Sequence, residues 1–171
     1  SENIEATVMF IDVCGFTSIS EQAPPEQVVR ILNTYFDTMV KEIIAHEGYV
    51  DKFIGNAVMA VFRGDYHLDR AIDAGLAIRE QIQKLPEVPG ADRYRPKVSI
   101  GIKSGEMVSG NIGSASLKRL DYTVIGDTVN IAARLQDAAD ANQILITEAC
   151  YEHVNESFKC KKVGDLSFKN K

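Results

Sequence analysis

Apolar positions recur along the chain with two periods, and the switches between them lay out most of the elements. Ala6 to Ile11, Tyr49 to Ile54 and Ala57 to Phe62 are short apolar runs bounded by turn residues, the pattern of strands. The last two meet at Gly55-Asn56, a dipeptide suited to a two-residue hairpin turn. Between the first and second runs, Val28, Ile31, Leu32, Tyr35, Phe36, Met39 and Ile43 follow helical spacing, opened by Pro24-Pro25 and closed by Gly48. This spacing predicts a helix over about residues 25–47. A second helix is predicted over about 67–85, with Leu68, Ile72, Leu76, Ile82 and Leu85 on one stripe. Pro86 to Pro96 reads as a loop before a strand from Lys97 to Ile102.

The resulting order, βαββαβ with a hairpin in its middle, predicts an α+β fold with a ferredoxin-like core. A C-terminal β/α extension follows: strands Glu106 to Ile112 and Asp121 to Ile125, a helix from Asp127 to Ala139, a strand from Gln143 to Thr147, a short helix, and a last strand near Phe158 to Val163. No repeat, low-complexity segment or linker divides residues 1–171, which read as one domain. The start at Ser1, without an initiator Met, leads us to expect a piece excised from a larger protein.

Composition narrows the function classes. At 171 residues and 45% hydrophobic, with no run of eighteen apolar residues, the chain suits a soluble, well-cored domain that does not itself insert into a membrane, whatever anchors a parent protein. The net charge is −5 and the basic residues are scattered, apart from Lys159, Lys161 and Lys162, which argues against nucleic-acid binding. Cys14, Cys150 and Cys160 form neither an even framework nor a Cys-x-x-Cys pair, so a reducing, cytoplasmic setting is expected, with all three read as small buried thiols. No targeting signal is visible.

Candidate chemistry lies at the ends of these elements. Asp12 falls where the first strand stops, placed to reach a cation while backbone N–H groups of Val13 to Thr17 face an approaching phosphate. Taken alone, Asp12 also suits a turn or cap, and Asn56 is explained by turn preference. Asn130 and Arg134, four apart on the helix after Gly126, share a face.

Four segments carry a resemblance: Phe10 to Phe16 (Phe-Ile-Asp-Val-Cys-Gly-Phe), Val50 to Phe62, Gly101 to Gly105 (Gly-Ile-Lys-Ser-Gly) and Asp121 to Arg134. Together they resemble, in order and spacing, the catalytic domain of class III nucleotidyl cyclases. The resemblance implies two metal ions, Mg²⁺ or Mn²⁺, held by two aspartates, of which Asp12 matches the first. The backbone carbonyl of Ile11 or Val13 is a further candidate ligand, and Asn56 stands where the second aspartate belongs. ATP is the implied substrate. Lys52 matches the adenine-reading lysine, and Thr123 the second purine-reading position, as in a bacterial adenylyl subclass described as bicarbonate-responsive. Asn130 matches the ribose-orienting residue, Arg134 the residue facing the α-phosphate, and Lys169 the triphosphate lysine, while the backbone of Gly15, Phe16 and Thr17 is expected to face the ATP phosphates. On residue types alone, Lys52 also suits a solvated strand position, and Arg134 a surface ion pair with Asp127 or Asp137. The family forms its sites at a dimer interface, so the resemblance further implies a homodimer, with Asn111 to Leu120 as a dimerisation arm or an exposed hairpin. An amide at position 56 leads us to expect reduced turnover, with a catalytically silent homology module as the alternative.

Overall fold

The computed structural model describes residues 1–86 and 95–165. Its elements are β1 (Glu2–Val13), α1 (Phe16–Gln22), α2 (Pro25–Ala45), β2 (Tyr49–Ile54), β3 (Ala57–Arg63), α3 (His67–Gln83), β4 (Val98–Ser114), β5 (Arg119–Ile125), α4 (Asp127–Ala138), β6 (Ile144–Leu145) and α5 (Glu148–Val154). The strands form one sheet in the order β2-β3-β1-β4-β5, antiparallel throughout, with β6 added parallel to β4. The order β2-β3-β1-β4 is that of the expected ferredoxin-like core, so the α+β reading holds.

Alternation along β1 divides the core. Met9 and Ile11 join Val58, Ala60, Phe62, Ile100 and Ile102 beneath Tyr35, Met39 and Ile43 of α2 and Ile72, Ile78 and Ile82 of α3. Ala6, Val8 and Phe10 face the other way, with Met59, Val61, Met107 and Val124. That second face is covered by α4, through Ala132. A Cβ on Gly101 would collide with the α4 backbone at Ala132 and Gln136, and one on Gly105 would lie 2.6 Å from Thr128 Oγ1. The two glycines therefore let α4 rest directly on β4.

The sheet also curls. With strands about 4.8 Å apart, β2 and β5 would stand roughly 19 Å apart in a flat five-strand path. Yet Asp51 of β2 and Thr123 of β5 share a 2.7 Å hydrogen bond. The β4–β5 ribbon accordingly folds back over the second face, and Tyr122 of β5 reaches Arg63 of β3.

Several expectations need correction. The strands expected at Lys97 to Ile102 and Glu106 to Ile112 are one continuous strand, because β1 runs twelve residues and pairs with it from Val98 to Ser109. Gly105 thus marks a close approach, not a break. A short helix, α1, precedes the predicted long one. The strand expected over 143–147 shrinks to Ile144–Leu145. The strand expected near Phe158 to Val163 is absent: residues 159–165 are exposed, and β4 already has β1 on one side and β5 and β6 on the other. Leu76, on the predicted apolar stripe, is exposed. Only Cys150 of the three cysteines is buried; Cys14 is half-buried and Cys160 exposed, and none is in a disulfide among the described residues. Most of the loop predicted over 86–96 lies outside the described residues. Among those described, no helix is long and apolar enough to cross a membrane.

Candidate active site

Gly55 adopts φ +59°, the left-handed conformation the hairpin turn demands, and delivers Asn56 beside the end of β1. There Asn56 Nδ2 donates a 3.1 Å hydrogen bond to the Val13 carbonyl, and Val13 N–H returns one to the Asn56 carbonyl at 3.4 Å. Asp12 pairs with Ala57 across the same two strands, so Asp12, Val13 and Asn56 are brought together. Burial pushes the Asp12 carboxyl above its ordinary value, the negative charge of Asp137 on α4 adds to this, and a hydrogen bond from the Val13 backbone opposes it. A carboxylate held in that state gains from a nearby cation.

These donors are hard oxygens: one carboxylate, one backbone carbonyl and one amide. No group of three His, Cys, Asp or Glu that could hold a metal exists among the described residues. The set nevertheless fits Mg²⁺ or Mn²⁺, since Mg²⁺ keeps several waters and is bound through one or two carboxylates and substrate phosphates. It fits one ion better than two, because Asn56 brings no charge.

After Val13 the chain turns through Cys14, whose Sγ lies 3.0 Å from Ser99 Oγ, to Gly15 at φ 71°. Gly15 caps α1, and its carbonyl accepts from Ser18 and Ile19. The N–H groups of Phe16 and Thr17 open this helix and have no intrahelical acceptor.

A second cluster forms where β5 closes on β2. A β-bulge between Val50 and Lys52 makes Asp51 an extra residue against β3. Its Oδ2 accepts from the Thr123 hydroxyl at 2.7 Å and lies 3.5 Å from Lys52 Nζ. The Asp51 side chain is 1% exposed and that of Lys52 45%. Lys52 and Thr123, far apart in the sequence and at opposite ends of the strand order, thus converge on one carboxylate. Asp51 was missed by sequence reasoning, and Asp137 was read there only as an ion-pair partner for Arg134, not as a charge acting on Asp12. For Asp51 a signal was available, an acidic residue within the apolar run from Tyr49 to Ile54.

On α4, Asn130 is exposed and Arg134 half-buried, four residues apart as expected. The helix starts at Gly126, whose carbonyl accepts from Asn130 N–H at 3.2 Å. Lys169 lies outside the described residues. The segment Asn111 to Leu120 is the largely exposed end of the β4–β5 hairpin, paired strand residues on either side of a turn over 115–118.

The chain matches the family model described as the adenylate and guanylate cyclase catalytic domain over residues 1–171. It is 36% identical over 187 residues to the adenylate cyclase of Anabaena cylindrica, covering 99% of this chain and 36% of that protein. The adenylyl cyclase CyaB from P. aeruginosa superposes with a TM-score of 0.86 at 30% identity, covering 99% of this chain and 89% of that one. The catalytic core of a rhodopsin-guanylyl cyclase with converted specificity, in complex with ATPalphaS, does so with a TM-score of 0.89 at 26% identity, covering 99% and 92%. The chain spans 25% of the length of the first curated relatives it matches and 36% of the Anabaena protein.

Proposed function

Because the chain belongs to the adenylate and guanylate cyclase catalytic domain family, we propose that it is an adenylyl cyclase converting ATP to cyclic AMP and pyrophosphate. The observation that carries the adenine reading is the convergence of Lys52 and Thr123 on Asp51. An ammonium is a donor suited to the ring nitrogen acceptor on the adenine edge. Asn130 orients the ribose. Arg134 meets the charge that builds on the α-phosphate as the ribose 3′-oxygen bonds to phosphorus, gives up its proton, and pyrophosphate departs. The N–H groups of Gly15, Phe16 and Thr17 face the phosphates, with Lys169 as a further triphosphate contact. Asp12 and the Val13 carbonyl hold Mg²⁺ or Mn²⁺, which when bound lowers the proton affinity of the 3′-hydroxyl and offsets phosphate charge.

Two such sites form in a two-fold homodimer, one protomer giving Asp12, Val13 and Asn56 with the Gly15 to Thr17 loop beside them, and its partner Lys52, Thr123, Asn130, Arg134 and Lys169. Exposed Leu117, Leu120, Tyr122 and Ile125 along the β4–β5 hairpin support this surface as the interface.

Asn56 attenuates the activity. A second dication beside the first would be repelled by it, and an amide at position 56 would offset that repulsion less than a carboxylate. The bond from Asn56 to the Val13 carbonyl favours a second reading, a silent cyclase-homology module, because it satisfies a candidate ligand carbonyl without an ion. The deciding measurement is cyclic AMP formation from ATP, with Mn²⁺ and with Mg²⁺, by this chain and by Asn56→Asp at matched dimer concentration. A rise of about tenfold or more in the variant is expected, the scale on which outer-sphere changes alone alter metal sites. Silence of both dimers would establish the module instead.

A further inference from the structure

Resting on the reading of Lys52 and Thr123 as purine contacts, we propose that Asp51 is the residue that sets the enzyme's preference for a purine carrying an amine at position 6. Asp51 Oδ2 accepts from Thr123 Oγ1 at 2.7 Å and faces Lys52 Nζ at 3.5 Å, while Oδ1 is buried with no hydrogen-bond partner among the described residues. A carboxylate can only accept, and a buried one with an unfilled oxygen holds firmly to the donors it has. The Thr123 hydroxyl is therefore committed as a donor to Asp51. Its oxygen is left with lone pairs alone to present, which match the 6-amino group of adenine and oppose the 6-oxo group of guanine or hypoxanthine.

A threonine by itself cannot discriminate, because a free hydroxyl rotates to donate or accept. The direction of its proton comes from Asp51. The exposures divide the roles: the Lys52 side chain is 45% exposed, Thr123 keeps 6%, and the Asp51 side chain 1%. Asp51 thus lies behind the two contacts and acts through them as a positioning residue. The β-bulge at Val50/Lys52 is what admits Asp51 as an extra residue beside Lys52.

The test is a set of equilibrium dissociation constants for ATP and inosine triphosphate in Mn²⁺, which needs no turnover. The two nucleotides differ only at purine positions 1 and 6. Asp51→Asn keeps the shape but lets an amide N–H donate to Thr123, freeing the hydroxyl to donate in turn. The expected result is a fall of about tenfold in the ATP-over-inosine-triphosphate ratio, one hydrogen bond's worth of discrimination. Thr123→Val should lower the ratio similarly, and the double variant no further than either alone. If Asp51→Asn does not fold, Asp51→Ser serves the same purpose and the same fall is expected. A folded Asp51 variant with an unchanged ratio, beside a Thr123→Val variant that lowers it, overturns the role of Asp51 while leaving the purine contacts standing. If neither Thr123→Val nor Lys52→Ala moves the ratio, the base is read elsewhere and both readings fall.

Discussion

One amide atom separates this site from a two-carboxylate site. Asn56 Nδ2 donates to the Val13 carbonyl, where a carboxylate would present a second acceptor to it. The residue at position 56 therefore exchanges a bond that holds the turn without metal for charge that holds an ion. A second residue-scale choice governs stability. His67 opens α3, and its Nδ1 shares a 2.6 Å hydrogen bond with Thr7, which is wholly buried. Burial pushes the His67 pKa below its ordinary value of 6.5; Arg70 adds to this, and Glu5 and Asp69 oppose it. The unfolded chain then binds more protons than the native one in the window below 6.5, so stability should rise with pH there and be lost on acidification through it. His67→Asn keeps a short polar group near Thr7 and cannot charge. In urea titrations between about pH 7 and pH 5 it should lose less stability than the parent. An equal loss in both would remove His67 as the cause.

Elements carry these residues to the site, and α4 does so through contact with glycines. Gly101 and Gly105 give it a path along β4, and Asn130 and Arg134 ride on its exposed side. Gly101→Ala should therefore cost about 1–3 kcal/mol by overpacking. For a domain of this size that lowers the melting temperature by roughly 2–4 °C per kcal/mol, and cyclase activity should fall by more than the lost folded fraction explains. Activity tracking folded protein alone would show α4 is not displaced. The same glycines mark where the sequence was opaque. Periodicity exposed the long helices and central strands because one face of each is apolar. It could not distinguish a glycine that breaks a strand from one that admits a helix, so β4 read as two strands. The motif-borne positions Asp12, Asn56, Asn130 and Arg134 were legible one by one. The meeting of Asp51 with Thr123 was not, because it depends on a bulge and on the curl of the whole sheet, neither of which leaves a periodic trace.

At the scale of the molecule, the β2–β3 turn gathers one cluster and the curl of the sheet the other, and their proposed roles belong to different protomers. The metal-facing group of Asp12, Val13 and Asn56 sits where β1 meets the β2–β3 turn, and the base-facing group where β5 closes on β2. If each site takes one cluster from each protomer, defects on opposite sides must complement. With Arg134 of α4 counted on the base-facing side, Asp12→Asn removes the proposed metal carboxylate and Arg134→Ala the proposed α-phosphate contact, so either homodimer has two broken sites. In a mixed dimer one site carries both defects and the other carries neither. Equal mixing with free exchange makes half the dimers mixed, so activity should return to about a quarter of the parent's, as two-fold symmetry requires. The experiment is best run in whichever background, unsubstituted or Asn56→Asp, gives a measurable rate of cyclic AMP formation. A site built within one chain would give no recovery at any mixing ratio, since every chain in the mixture would still carry a defect of its own.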